Sequence, residues 1–272
     1  MMMTRGATSR PLLSIITVVE RLNSAEFEQT KASIAPVICD RGAIEWLIVP
    51  GDAPIEASHK SSATLTGQMI NMTTLAPNKT GIYAAMNDGL RRACGDYVWF
   101  LNGGDCLTSR TAFEAMLREL EITRPDLLYA DSREFRPDAR DQYWLKPARH
   151  YRHWRLGMFT HHQAMVFRRD LLPSTAYAEH FDVAADYAFT LAQLQAAKQI
   201  SRLPMALADV SLGGFSERQH DRGRQQQHLI RCQVGAVPSA ASLMIKGLQR
   251  VSHQLRSKAP GAWRLLRQSK RA

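Results

Sequence analysis

The chain has 272 residues, of which 45% are hydrophobic and 22% are charged. This length suits one large domain or one domain with an appendage, and the composition excludes a chain that is disordered throughout. The cysteines form no CxxC pair, which excludes a zinc ribbon and disfavours a disulfide framework, so we expect a reducing compartment. They are Cys39, Cys94, Cys106 and Cys232.

The net charge of +10 is concentrated at the C-terminal end of the chain. Residues 222–272 hold eleven lysines and arginines and no acidic residue, whereas residues 1–221 are nearly neutral. We therefore divide the chain into a domain over residues 1–221 and a basic tail over residues 222–272. The charge of the tail indicates an anionic partner.

The first elements are predicted from β-branched and polar patterns. Residues 12–19 form an unbroken apolar run, typical of a strand buried on both faces of a parallel sheet. A short signal peptide is the alternative, but Glu20 and Arg21 end the run and no cleavage site follows. Residues 24–34 suit a helix and residues 45–49 a second strand, while residues 52–80 carry no firm pattern.

The pattern becomes clearer after Gly81. Residues 82–93 have helical spacing, residues 97–101 form a strand, and a capping box beginning at Thr111 starts another helix. Residues 126–130 form the next strand, residues 132–160 show no clear period, and residues 163–167 are strand-like. A helix over 186–198 and a strand over 200–210 complete an alternation that favours an α/β doubly wound sheet.

The loop Asn102-Gly103-Gly104-Asp105 follows one of these strands. Ligands of open α/β sheets bind beyond the carboxyl ends of the strands. We expect Asp105 to be exposed there and able to approach a phosphate-bound Mg²⁺ or Mn²⁺. The alternative is an ordinary turn in which Asp105 caps the next helix.

Five ordered motifs resemble the family-2 glycosyltransferases, which have the GT-A nucleotide-sugar-binding fold. They are the runs 81–90 and 93–105, His162-Gln163-Ala164, Ala185-Asp186-Tyr187, and Gly213-Gly214-Phe215-Ser216. The resemblance spans roughly residues 11–216 and is closest to the bacterial exopolysaccharide subgroup, including colanic-acid-type enzymes. It implies a GT-A-like (Rossmann-like) α/β domain with a mostly parallel central sheet and a basic helical C-terminal extension.

The resemblance also implies inverting, metal-dependent transfer of a sugar from a nucleotide-sugar to a hydroxyl. Asp105 matches the end of the family's metal-binding motif and would hold Mn²⁺ or Mg²⁺ against the leaving diphosphate. Asp186 matches the general base, with a helix N-terminal acid as the alternative. His162 is a second candidate catalytic residue, with a structural histidine as the alternative.

The remaining candidate residues are assigned to the two substrates. The predicted donor-binding residues are Asp52, Asn87, Gly89, Asn102 and Gly104. The predicted acceptor-side residues are Gln163, Gly214 and Ser216. Pro50 replaces the family's base-reading acid, so Asp52 is expected to substitute for it, and Ala84 replaces another family acid.

These departures leave a non-catalytic binding or scaffold protein as the alternative function. A sugar nucleotidyltransferase would need a glycine-rich phosphate-binding loop after the first strand. Residues 19–23 at this position contain no glycine, which disfavours that function.

Apolar residues recur at helical spacing in the basic tail, as in helices that lie on membranes. They are Met244, Leu248, Val251 and Leu255. We therefore predict binding to an anionic membrane surface. With the subgroup resemblance, this predicts a lipid-linked saccharide acceptor and a cytoplasmic protein peripherally associated with the inner face of a bacterial inner membrane. A helix packed on the domain is the alternative, and nucleic acid is disfavoured because no nucleic-acid motif accompanies the charge.

Overall fold

The computed structural model describes residues 10–38, 44–51, 59–65, 68–75, 81–214, 218–234 and 237–258. The strands are β1 (Leu13–Val19), β2 (Ile44–Pro50), β3 (His59–Leu65), β4 (Gln68–Thr74), β5 (Tyr97–Phe100), β6 (Cys106–Leu107), β7 (Leu127–Arg136), β8 (Ala139–Lys146), β9 (Met165–Arg168) and β10 (Ile200–Ser211). The helices are α1 (Ala25–Ile38), α2 (Ile82–Arg92), α3 (Arg110–Ile122), α4 (Ala185–Ala196), α5 (His220–Gln233) and α6 (Ser239–Lys258). Short 3₁₀ helices cover Tyr151–Leu156, His162–Ala164 and Arg169–Leu171.

The strands form one sheet in the order β3-β4-β2-β1-β5-β9-β7-β10-β6, with β8 paired to β7. Strands β4, β2, β1 and β5 run parallel, as do β7 and β10. Strand β9 is antiparallel to both of its neighbours, β5 and β7. The predicted α/β fold is confirmed, and β9 joins the two parallel parts of the sheet.

Both faces of the central strands are buried, which explains their unbroken apolar sequence. Leu13, Ile15 and Trp46 pack on one face with α1 and α3, and Ile16 and Leu47 pack on the other with α2 and α4. Strands β1, β2 and β5 were predicted within one residue of their ends for this reason.

Other elements differ from the sequence prediction. The stretch without a firm pattern contains the β3–β4 hairpin. Helix α3 is capped by Ser109, whose hydroxyl accepts a hydrogen bond from the Ala112 N–H at 3.1 Å, so the capping box predicted at Thr111 is wrong. Strand β7 continues to Arg136 because its second half pairs with β8 and β10.

The basic segment begins inside α5, which packs on the domain. The side-chain oxygen of Gln226 accepts hydrogen bonds from the Val183 and Ala184 N–H groups, both at 3.0 Å. Arg231 is fully buried, and its Nε donates to the Ser242 hydroxyl of α6 at 3.0 Å. The residue 221 boundary that we predicted therefore falls within a helix that covers the start of α4.

Helix α6 packs on α5 but leaves a row of apolar side chains uncovered. Leu243, Met244, Leu248, Val251 and Leu255 are 45–66% exposed. Among the described residues, no helix is both long enough and apolar enough to cross a bilayer.

Candidate functional site

The loop of residues 102–105 lies where β1 and β5 end. The Gly103 N–H donates to the Val18 carbonyl at 2.8 Å, and the Gly104 N–H donates to the Glu26 carbonyl and the Thr30 hydroxyl, both at 3.0 Å. Gly104 has φ +91°, a conformation that favours glycine. Two loop amides are thus occupied in holding the turn against β1 and α1, at the edge where open sheets bind ligands.

Asp105 is buried, with 6% of its surface exposed, so the prediction of an exposed carboxylate is wrong. Its Oδ2 accepts a hydrogen bond from Gln163 Nε2 at 2.8 Å, and its Oδ1 accepts one from the Ser211 N–H at 3.0 Å. Burial raises the pKa of Asp105 to about 7, although both hydrogen bonds favour the ionised form. Asp105 does not cap α3, because Ser109 does.

Asn102 brings a second oxygen to this loop. Its Oδ1 is buried and has no hydrogen-bond partner among the described residues. An unsatisfied amide oxygen in the same loop as a buried carboxylate suits a hard cation, since Mg²⁺ and Mn²⁺ prefer oxygen ligands. The described residues contain no group of three His, Cys, Asp or Glu side chains that could hold a metal. A cation held by Asn102 and Asp105 would therefore need further oxygens from substrate and water.

Gln163, predicted on the acceptor side, instead contacts Asp105. Because β9 runs antiparallel to β5, the residues that precede β9 come to the carboxyl end of β5. The Gln163 carbonyl accepts a hydrogen bond from Trp99 Nε1 at 2.8 Å, which fixes the backbone from which the amide reaches Asp105. Gln163 therefore orients the candidate metal ligand.

His162 lies in an aromatic core. It is 5% exposed, stacks on Phe100 at a centroid distance of 5.4 Å, and places Nε2 2.6 Å from the Tyr177 hydroxyl. Burial lowers its pKa to about 3, so the imidazole is neutral at physiological pH. This enclosure contradicts direct contact of His162 with substrate and favours the structural histidine.

Asn87 and Gly89 face the interior rather than a donor groove. Asn87 is fully buried, donates to the Tyr177 carbonyl at 3.0 Å and accepts from the Tyr177 N–H at 2.9 Å. At Gly89, a Cβ atom would lie 2.5 Å from Ile16 Cγ2. Asn87 therefore holds the segment before α4, and Gly89 permits close packing of α2 on β1.

Three predicted site residues lie outside the ranges that the structure describes or at the end of one. Asp52 and Ser216 lie outside the described residues. Gly214 is the last residue before one such gap and is exposed, and a Cβ atom added to it would have nothing within 4 Å.

Asp186 occupies the first turn of α4 and lines a cavity of about 210 Å³. Its Oδ1 accepts the Tyr187 N–H at 2.8 Å. Burial raises the pKa of Asp186 to about 6, while hydrogen bonds, including one with the Tyr83 side chain, act in the opposite direction. The cavity is also lined by His220, Gly223, Arg224, Gln227 and Gln249. Asp186 can therefore hold or accept a proton near neutral pH beside α5 and α6.

Tyr83 and Tyr177 are site residues that the sequence analysis missed. The Tyr83 hydroxyl donates to the Val183 carbonyl at 2.8 Å, and its ring stacks on Tyr177 at 5.6 Å. The charge of Asp186 adds to burial in raising the pKa of both tyrosines. Contacts thus run from Asp105 through Gln163, His162 and Tyr177 towards Asp186. Tyr83 lies in the first motif, residues 81–90, and this position could have marked it as a site residue in the sequence.

Residues 61–181 match the family model described as Glycosyl transferase family 2. This range holds the 102–105 loop and Gln163 and ends before Asp186. No curated protein matches the sequence.

Solved structures share the fold at low sequence identity. S. aureus TarS 1–349 in complex with UDP is 14% identical, with a TM-score of 0.57 over 90% of this chain and 73% of that chain. Longer S. aureus TarS gives a TM-score of 0.60 at 14% identity, over 89% of this chain and 43% of that one. The mannosyltransferase PcManGT from Pyrobaculum calidifontis, in complex with GDP-Man and Mn²⁺, is 15% identical, with a TM-score of 0.57 over 97% and 81% of the two chains. At this identity the likeness concerns the fold, which agrees with the predicted GT-A architecture.

Proposed function

Because residues 61–181 match Glycosyl transferase family 2, we propose that this chain is a family-2 glycosyltransferase that moves a sugar from a nucleotide-sugar donor to a hydroxyl acceptor. Solved structures that share the fold contain UDP, UDP-GlcNAc or GDP-Man. The observation that carries the proposal is the 102–105 loop, which holds both the unsatisfied oxygen of Asn102 and the buried carboxylate of Asp105.

The donor diphosphate is proposed to bind at this loop with Mn²⁺ or Mg²⁺. Asn102 and Asp105 would hold the cation, which supplies positive charge for the departing diphosphate. The raised pKa of Asp105 supports this assignment, since a bound cation would restore the ionised form that burial disfavours. Gln163 and the Ser211 N–H keep the carboxylate oriented.

Asp186 is proposed as the general base of an inverting transfer. The acceptor oxygen attacks the anomeric carbon from the face opposite the diphosphate, the bond to the diphosphate breaks, and the acceptor proton passes to Asp186. A pKa of about 6 leaves Asp186 mostly ionised at neutral pH and still basic enough to take a proton. The Tyr187 N–H orients the carboxylate.

The acceptor is proposed to be a lipid-linked saccharide of exopolysaccharide synthesis, reached at the cytoplasmic face of a bacterial inner membrane. The support is the exposed apolar row of α6 within a segment rich in lysine and arginine. Such a helix binds an anionic surface through apolar burial and charge together.

A donor screen tests the proposed function. Full-length protein is heated with UDP-, GDP- and dTDP-sugars in the presence of Mn²⁺, and the true donor should raise the melting temperature by several degrees, because a ligand at 100 times its Kd stabilises the native state by about 2.7 kcal/mol. Asp105→Asn should remove the shift, whereas Asp138→Asn, at an exposed carboxylate on the β7–β8 turn, should keep it.

Two outcomes would contradict the proposal. Failure of every donor to shift the wild-type melting temperature would overturn nucleotide-sugar binding. Binding of a donor without Mn²⁺-dependent hydrolysis or transfer would favour the non-catalytic alternative.

A further inference from the structure

A basic cleft lies between the start of α5 and the second half of α6. It has a volume of about 330 Å³ and is lined by four arginines, namely Arg218, Arg222, Arg224 and Arg250. His220 and His253 also line it, with ring centroids 4.1 Å apart. This cleft has no part in the chemistry assigned above to the 102–105 loop.

Acidic residues only partly balance this charge. Asp221 lies 2.8 Å from Arg224 and 3.9 Å from Arg250, and Asp182 lies 2.7 Å from Arg222. Arg218 has no acidic partner among the described residues, and Arg250 is 66% exposed. Among the described residues, two carboxylates therefore face four guanidinium groups, which leaves a local excess of positive charge.

The cleft adjoins the cavity of the candidate base. His220 and Arg224 line both spaces, and Asp186 lines only the cavity. A ligand held in the cleft is thus next to the cavity that the candidate base lines.

We propose that this cleft binds a phosphate or diphosphate group of the acceptor and so brings the acceptor hydroxyl to Asp186. Guanidinium groups bind phosphate oxygens in a bidentate manner and keep their charge at any physiological pH. The inference rests on the proposed function and deepens it, because it makes the acceptor a phosphorylated molecule. A lipid headgroup phosphate has the same chemistry, and the experiment separates the two sources.

The test measures binding of inorganic pyrophosphate to the full chain by calorimetry, in EDTA so that no metal supports binding at the 102–105 loop. Arg218→Gln combined with Arg250→Gln should weaken binding by about ten-fold or more, because two charge-assisted contacts are lost. The control, Arg92→Gln combined with Arg118→Gln, removes the same charge from exposed positions on α2 and α3 and should change affinity less than about two-fold.

Asp105→Asn separates this inference from the proposed function. It should abolish Mn²⁺-dependent donor binding and leave pyrophosphate affinity unchanged. Loss of pyrophosphate binding in Asp105→Asn, or equal affinity in the two arginine double variants, would overturn the cleft site while leaving donor binding untouched. Failure of donor binding with intact pyrophosphate binding would instead overturn the proposed function.

Phosphatidylglycerol vesicles distinguish the source of the phosphate. If the cleft binds the phosphate of the acceptor, occupying it should not detach the protein from vesicles. Saturating pyrophosphate should then release no more protein than sodium chloride of equal ionic strength. Release by pyrophosphate alone, together with lost sedimentation of Arg218→Gln/Arg250→Gln, would make the cleft a headgroup site and overturn the acceptor assignment.

Discussion

Asp105 and Asp186 are both carboxylates that burial makes less acidic, but each is held differently. Asp105 accepts hydrogen bonds from Gln163 and Ser211, which lie 58 and 106 residues further along the chain. Asp186 accepts one from the next residue in its own helix. The motifs predicted both acids, whereas the burial of Asp105 depends on distant strands and could not be read from its loop.

The pH dependence of transfer should report Asp186. Because its pKa is raised to about 6, the base is protonated and inactive below this pH. With donor and Mn²⁺ saturating, so that Asp105 stays ionised, kcat should therefore rise as pH passes through about 6 and level off above it. Asp186→Asn should lower kcat by roughly 10²–10⁴-fold with donor affinity unchanged. The same acidic limb in residual Asp186→Asn activity would assign the base to another residue.

His162 and Asn87 show what a motif leaves undetermined. Both occur at positions where the sequence resembles the family, yet both side chains bond to Tyr177 inside the core. Spacing along a strand or helix fixes the direction of a side chain, but the segment that covers it comes from elsewhere in the chain. Here that segment precedes α4.

Among the elements, β1, β2 and β5 could be predicted from the sequence because both of their faces are buried. Their apolar runs follow from helices packed on each side of the sheet. The β3–β4 hairpin at the sheet edge consists mainly of polar and small residues, so its sequence carries little pattern. Strand β8 pairs only with β7 among the described residues, and its Tyr143 and Leu145 side chains remain 43% and 49% exposed.

Helix α2 offers a test of element packing. Gly89→Ala should lower the free energy of unfolding by about 1–3 kcal/mol, since the new Cβ would lie 2.5 Å from Ile16 Cγ2. Gly247→Ala in α6 is the matched control, because nothing lies within 4 Å of its Cβ, and it should raise stability by about 0.4–1 kcal/mol. Urea unfolding measures both. Equal effects of the two substitutions would show that α2 can shift away from β1.

Over the whole molecule, positive charge and exposed apolar surface coincide on the C-terminal helices. Full-length protein should sediment with anionic vesicles at low salt and be released at high salt, because the Debye length falls from about 10 Å at 0.1 M to about 3 Å at 1 M. Leu248→Ser combined with Val251→Ser should weaken sedimentation. The control is Ile122→Ser combined with Leu145→Ser, at exposed positions on α3 and β8.

Substitution is preferable to truncation here because α6 contacts the buried Arg231. Equal capture by neutral vesicles, or unchanged sedimentation of Leu248→Ser/Val251→Ser, would contradict binding through this helix.

The antiparallel position of β9 has a consequence for the order of folding. Strand β9 pairs with β5 on one side and β7 on the other, and β10 pairs with β7. Asp105 therefore gains both of its hydrogen bonds, from Gln163 and from the Ser211 N–H at the end of β10, only when the two parts of the sheet have met. Loop closure over these sequence distances is slow relative to local helix formation. We therefore expect donor binding to return in the slowest phase of refolding, together with the fluorescence of Trp99, whose indole bonds to Gln163. Donor binding that returns before this signal would show that β5 and its loop suffice, whereas simultaneous recovery means that a partly folded chain cannot capture the nucleotide-sugar.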